Sequence, residues 1–346
     1  MEKIKKLKSF FKKEKINGYL IPKNDEFFGE YVPEHNDRLN FISDFSGSYG
    51  FSLILKNKNY LFVDGRYTLQ ASNQSGKSFK VVTFPGKMPK DILKNKKFLI
   101  GIDPKIITRE SINRFFKKSN CEFKPLTKNL IDKIWKRKIK KKNNKFFILP
   151  DKSIGHSYKK KINKIVSNLR KNKADFQFIT SSENNAWLLN IRGQDTKYSP
   201  IPLCYILIDK NRNISFFCDL KKVSPKFKKY FNKVKFFKIE STGKLLSLIS
   251  NKKFILDTST CSIYFEKIIR KNNTVLDLKD PIYYFKSIKN IKEIKNIKNS
   301  HIYDGAALTK YLFWVKKNFQ KKKITEISAS KKLLNFKKRN KKFKYL

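Results

Sequence analysis

The residue types able to do chemistry are sparse in this chain and widely spaced. Only three histidines occur, His35, His156 and His301, and each stands alone. None belongs to an HExxH pair or accompanies paired carboxylates, so no metal is assigned to them. His35 and His156 sit in polar, Lys-rich surroundings and are expected on the solvated surface. Cys121, Cys204, Cys218 and Cys261 are far apart and include no CxxC pair. That spacing argues against a zinc ribbon or a disulfide framework and suits a reducing compartment. The stretch from Ser153 to His156 carries no nucleophile motif with an oriented base, so serine hydrolase chemistry has no support. Gly47-Ser48-Tyr49-Gly50 lacks the GxxxxGK pattern and precedes a strand instead of opening a helix, which excludes a phosphate loop. What remains is Asp64-Gly65-Arg66-Tyr67, a strand ending in Asp-Gly with a helix starting at Arg66. Asp64 is expected to cap that helix, and Gly65 to permit the tight turn. In Trp187-Leu188-Leu189-Asn190-Ile191-Arg192-Gly193, Trp187 and Leu188 are expected to fill a core and Gly193 to supply a turn. Arg192 is expected to pair with an acidic neighbour at a domain interface, where a guanidinium suits a partly buried carboxylate.

These residues need a frame, and hydrophobic periodicity supplies one. Ile4, Leu7, Phe10, Phe11 and Ile16 among lysines predict an amphipathic helix over 1–17. Gly18 opens a buried strand that Pro22 ends, and a polar stretch follows to about Arg38. The runs 51–55 and 60–63 flank Lys56-Asn57-Lys58-Asn59, a hairpin signature. A helix from Arg66 to Gln74, strands at 79–84 and 98–102 and a helix at 112–117 complete an α/β domain over 1–140. The basic run Lys136 to Lys145 is the expected boundary. A second α/β domain over 146–286 repeats the order: helix 156–172, strand 175–179, short helix, hairpin, then alternating strands and helices. Each hairpin ends in an aspartate, Asp64 or Asp219, which suggests a diverged internal duplication. Over 287–346 a connecting helix (287–300), a second (301–318) burying Ala306, Ala307, Leu308, Leu312 and Trp314, and a third starting at Thr325 or the preceding Ile324 look like the opening of something unfinished.

The chain has 346 residues and a net charge of +52. Of its 80 basic residues 70 are Lys, spread from end to end. Sequence-specific nucleic-acid readers favour clustered Arg for bidentate contacts. Abundant Asn, Ile, Phe and Tyr point instead to a compositional bias, so nucleic acid is expected to bind only non-specifically and salt-sensitively. No stretch approaches the roughly 20 apolar residues of a membrane span, and no secretory signal is visible. The sequence reads as a soluble, cytoplasmic protein without membrane partners.

Six segments follow, in order, the pattern of one known family. They are Tyr19-Leu20-Ile21-Pro22 with Asp25-Glu26 and Gly29-Glu30-Tyr31-Val32-Pro33; Phe45-Ser46-Gly47-Ser48-Tyr49-Gly50; Val63-Asp64-Gly65-Arg66-Tyr67-Thr68-Leu69-Gln70. Next come Asn129-Leu130-Ile131-Asp132 with Ile134-Trp135; Ala186 to Asp195; and His301-Ile302-Tyr303-Asp304-Gly305-Ala306-Ala307. Together they resemble the Xaa-Pro aminopeptidases, or aminopeptidase P, of the creatinase and prolidase superfamily. The resemblance implies two tandem, related creatinase-N-like α/β domains followed by a pita-bread catalytic domain, of which only the opening helices would be present here. It implies removal of the N-terminal residue before proline, with two divalent ions, usually manganese, held by two Asp, one His and two Glu. Those ligands lie downstream of the segment matching residues 301–340, so the resemblance assigns this chain no catalytic residue and no metal of its own. His301 matches a helix position that is not a ligand. A homodimer is implied, in which Arg66 and Tyr67 form a substrate-side pair acting in trans on proline-containing peptides. Three readings stay open: the front part of such an enzyme, inactive alone; a non-catalytic dimerisation or interaction module; and a basic nucleic-acid-binding protein.

Overall fold

The computed structural model describes residues 2–137, 144–196, 198–321 and 323–343; of the expected boundary at 136–145, residues 138–143 lie outside the described residues. Helix α1 (Glu2–Lys13) turns Ile4, Leu7 and Phe11 inward and its lysines outward. The first sheet contains β1 (Gly18–Pro22), β2 (Phe51–Leu55), β3 (Asn59–Val63), β4 (Lys80–Thr83), β5 (Leu99–Ile102) and β6 (Glu122–Pro125). Their order is β4-β3-β2-β1-β5-β6, with β1–β2 and β2–β3 antiparallel and every other pair parallel. Central strands covered on both faces read as near-continuous apolar runs, as in Phe51-Ser52-Leu53-Ile54-Leu55, where only Ser52 is polar. Alternate side chains feed opposite cores: Tyr19, Ile21 and Ile54 enter one, Leu20, Leu53 and Leu55 the other. Phe51 lies between Phe62 (ring centres 4.6 Å apart) and Phe115 (4.2 Å).

The second sheet contains β7 (Phe176–Ile179), β8 (Tyr205–Asp209), β9 (Ile214–Cys218), β10 (Val234–Lys238), β11 (Lys253–Leu256) and β12 (Thr274–Asp277). Its order, β10-β9-β8-β7-β11-β12, and its strand directions reproduce the first sheet. Both Asp64 and Asp219 follow the hairpin and cap a 3-10 turn, accepting from the amides of Arg66 (2.9 Å) and Lys221 (3.0 Å). One topology repeated with one capping device is the mark of a duplicated domain.

The polar stretch before Arg38 ends in helices absent from the sequence reading: α2 (Arg38–Ser43) in the first domain and, later, α5 (Leu130–Ile134), which it meets. Arg38 is buried, with Asp132 at 2.9 Å and Glu26 at 2.8 Å. The helix carries that guanidinium inward, because a paired charge can fill a core position.

Helix α3 (Thr68–Ser75) follows β3, and α4 (Arg109–Phe116) follows β5. In the second domain α6 (Tyr158–Lys171) precedes β7, α7 (Ser182–Leu189) follows it, α8 (Ile263–Asn272) follows β11 and α9 (Ile282–Ser287) follows β12. The domains dock through matching segments. Thr108 and Ser262, the N-caps of α4 and α8, form an antiparallel bridge. The amides of Ile263 and Tyr264 donate to the carbonyls of Ile107 (3.0 Å) and Pro104 (2.9 Å). Glu266, only 1% exposed, takes Arg109 of the first domain at 2.9 Å and Arg270 of its own helix at 2.8 Å.

At the C-terminal side the structure corrects the expectation of two helices over 287–318. A single helix, α10 (Ile291–Asn318), runs through Gly305, and α11 (Glu326–Lys338) packs back on it behind a Thr325 cap. Of the five side chains expected to be buried only Ala307 is; Leu308 and Leu312 stand 46% and 57% exposed. Among the described residues no helix is long and apolar enough to cross a membrane.

Two predictions follow from these buried charges. Replacing Glu266 by Gln leaves two guanidinium groups facing a neutral amide and is expected to remove on the order of 2 kcal/mol from urea-unfolding stability; an unchanged midpoint would refute the role of this pair. Asp280 accepts from Gln177 (2.9 Å), Asn184 (2.7 Å) and the Ile282 amide (3.0 Å), yet burial raises its carboxyl to about 6. The folded state then holds a proton that the unfolded chain has already released, so this group's contribution to stability falls as pH rises from about 4 through 6 and is level above. Asp25, raised to about 6 by burial, acts in the same sense. Denaturation of the Asp280→Asn protein across this range is therefore expected to show a shallower pH slope, and an identical slope would count against it.

Candidate functional site

The Asp64–Tyr67 segment leaves β3 at the edge of the first core. Asp64 is the cap that the sequence predicted, and it also takes the Arg66 side chain through Nη2 (2.7 Å to Oδ2) and Nε (3.2 Å to Oδ1). This ion pair holds the Asp64 carboxyl below its ordinary value and the guanidinium above its own. The turn at 65–67 is a 3-10 helix, with α3 starting only at Thr68. Gly65 does not have the expected role: its backbone is outside the left-handed region and an added Cβ would meet nothing within 4 Å.

Arg66 lies over the Tyr67 ring at 5.2 Å with its side chain 73% exposed. Tyr67 is fixed from beneath, edge-on to Phe45, with its hydroxyl 2.8 Å from Ser48 Oγ. Ser46, Gln70 and Gln74 extend the polar network beside it. The structure thus brings Arg66 and Tyr67 together and adds Ser48, which the sequence offered as part of a rejected phosphate loop and of a family-like segment, with no role of its own. The arrangement presents one oriented guanidinium, suited to a carbonyl or carboxylate, and holds no acid–base couple.

The remaining sequence-singled residues lie in the second domain. Leu188 is fully buried, while Trp187 is partly buried against that core. Lys161 Nζ sits 4.0 Å from the Trp187 ring centre and donates to the carbonyl of Trp187 (2.8 Å) and to Asn190 Oδ1 (2.6 Å). Burial pushes its ammonium down to about 8. A lysine at a helix C-terminus satisfies carbonyls that the helix leaves open, a role its place in the Lys-rich sequence concealed. Arg192 Nη1 donates to the carbonyls of Ile191 (2.8 Å) and Ala186 (3.3 Å). Gly193 serves close approach more than turning, since a Cβ there would lie 2.9 Å from Pro202 Cα.

Comparison with known proteins gives these elements a context. Residues 3–134 and 137–293 each match the Creatinase/Prolidase N-terminal domain. The chain belongs to the creatinase/prolidase family. It is 30% identical over 97% of its length to a probable Xaa-Pro aminopeptidase P of Paracoccidioides lutzii, of which it covers 59%. It is 28% identical over 96% of its length to Xaa-Pro aminopeptidase ApepP of Drosophila melanogaster, covering 56% of that protein. All of this chain superposes on 60% of the X-prolyl aminopeptidase of Caenorhabditis elegans, with a TM-score of 0.91 at 27% identity. The chain therefore spans little more than half the length of these relatives. The C. elegans protein is described as a cytosolic enzyme with a di-nuclear active site. Among the residues described in the present chain no three His, Cys, Asp or Glu side chains converge, so they do not fit a pair of metal ions.

The Arg66–Tyr67 geometry separates exposed from structural roles. Arg66→Ala is expected to leave urea stability within about 0.5 kcal/mol, since exposed ion pairs contribute little. Tyr67→Phe, which strips a half-buried hydroxyl from Ser48, is expected to cost about 1 kcal/mol. The reverse ranking would make Arg66 the structural residue of the two.

Proposed function

We propose that this chain forms the two-domain N-terminal part of a metal-dependent Xaa-Pro aminopeptidase, with α10 and α11 as the first helices of the pita-bread catalytic domain. The observation that carries this reading is the uncovered apolar surface on those helices: along α10, Ile291 is 87% exposed, Phe313 67%, Leu312 57% and Leu308 46%. Side chains of this size, repeated over α10, normally mark a face awaiting another layer. The relatives' greater length supplies a layer of fitting kind.

In that setting the two N-terminal domains position and the catalytic domain performs the hydrolysis. A pair of divalent ions, manganese in the family resemblance, would supply Lewis-acid chemistry from ligands outside the described residues. The exposed Arg66 guanidinium, braced by Asp64 and Tyr67, would meet a proline-containing peptide from across a homodimer. Four free cysteines, three of them buried, suit a reducing cytoplasm. Residues 1–346 alone are read as inactive.

The same uncovered face also favours an interaction module that recruits a separate partner. Sequencing the transcript past codon 346 discriminates the two. An in-frame continuation with two Asp, one His and two Glu supports the peptidase; an immediate stop supports the module. In a direct assay, purified 1–346 is expected to release no N-terminal residue from an Xaa-Pro peptide with or without manganese. Manganese-dependent release would overturn the inactive reading.

A further inference from the structure

In an open α/β sheet, ligands bind in the crevice outside the carboxyl ends of strands where the chain leaves neighbouring strands toward opposite edges. Both sheets here have such a point. In the second, β7 and β11 lie side by side and parallel; the next strand after β7 is on one side of the pair and the next after β11 on the other. The domain docking at Thr108 and Ser262 presses the first domain's 25–28 loop over that crevice.

A cleft of about 320 Å³ results, lined by Ser181 and Glu183 after β7, Thr260 after β11, Lys286 on α9, and the rings of Phe27 and Phe28 from the first domain. That volume corresponds to about ten waters, the bulk of a single amino acid. The two charged groups in it have only neutral partners: Ser181 Oγ donates to Glu183 Oε2 (2.9 Å), and Lys286 Nζ donates to Asn184 Oδ1 (2.7 Å). Neither is held in a salt bridge among the described residues. Both are half-buried, where a directly paired opposite charge would count for more than in water. Burial pulls the Lys286 ammonium below its ordinary value, against the opposing pull of the Glu183 and Asp280 carboxylates.

The aromatic roof is set with care. The buried Asp25 carboxylate takes the Phe27 amide at 3.0 Å, and Phe27 stacks on Tyr205 at 5.1 Å. Phe28 is held at φ 55, a left-handed conformation costly for a bulky residue and concentrated at sites where the surroundings impose it.

We infer that this interdomain cleft binds a free α-amino acid with an apolar side chain, its ammonium on Glu183, its carboxylate on Lys286 and its side chain under Phe27 and Phe28. The inference does not rest on the peptidase reading, since no residue of the cleft belongs to that proposal. Because the ligand would touch both domains, it would also brace their junction.

Equilibrium dialysis of the full chain with radiolabelled phenylalanine tests it, with phenethylamine and 3-phenylpropionate as probes lacking one charge each. Saturable binding of phenylalanine at millimolar or tighter affinity is expected, with each single-charge probe weaker by about tenfold or more, the worth of one charge-assisted hydrogen bond. Glu183→Gln is expected to weaken phenylalanine and phenethylamine but spare phenylpropionate; Lys286→Met is expected to do the converse. Phe28→Gly relieves the backbone while removing the ring, so it is expected to keep the unfolding midpoint and lose affinity, which separates a binding role from a packing one. Absence of saturable phenylalanine binding, or binding indifferent to both charge substitutions, overturns the inference.

Discussion

A carboxylate shut away from water is costly to bury without partners, and Glu266 is met by one guanidinium from each domain. Helix α8 has to sit where Arg109 can reach it, and that in turn aligns the N-caps Thr108 and Ser262 and the backbone bonds from Ile263 and Tyr264. These directional bonds orient the two sheets, and apolar contacts across the junction add to them, with Phe27 packed on the second domain's core and Ile263 on the first's. Rigid orientation from a few directional bonds is what a two-part scaffold needs if loops of one half are to shape the surface of the other.

The equivalence of the docking segments has a structural logic. Two copies of one domain that meet through the same element on each side make a self-complementary, approximately two-fold contact, as in a symmetric dimer. Thr108 and Ser262 occupy corresponding places, directly after the corresponding strands β5 and β11. The two halves differ in their buried polar groups: Arg38 with Asp132 at one helix junction, Asp280 with Asn184 and Gln177 at the other.

Much of this was legible from the amino-acid pattern. The hairpins, read at 51–63 and 203–218, the long amphipathic helix now α6, and Asp64 as a cap all follow from local periodicity and capping chemistry. What escaped depends on groups far apart in sequence. The helix at Arg38 is held by Asp132, 94 residues on; Lys161 was indistinguishable among 70 lysines until Trp187 and Asn190 closed on it. Ser48 became visible only when Tyr67 reached it. The division of 287–318 into two helices placed a break between Ser300 and His301, where α10 continues without interruption. The family itself was readable from six short segments, whereas which of their residues face solvent was not.

Helix α10 joins two opposed colloidal tendencies. Its 28 residues extend about 42 Å, with bare Ile, Leu and Phe side chains along a molecule carrying a net charge of +52. Mutual repulsion keeps such molecules apart only while their fields reach beyond contact range, and dissolved ions shorten that reach to about 8 Å at physiological strength. Each added increment of salt thus removes the repulsion without weakening the attraction between uncovered stripes. The state of association is set by the ionic medium as much as by the sequence, and a polyanion that condensed on the lysines would act in the same direction.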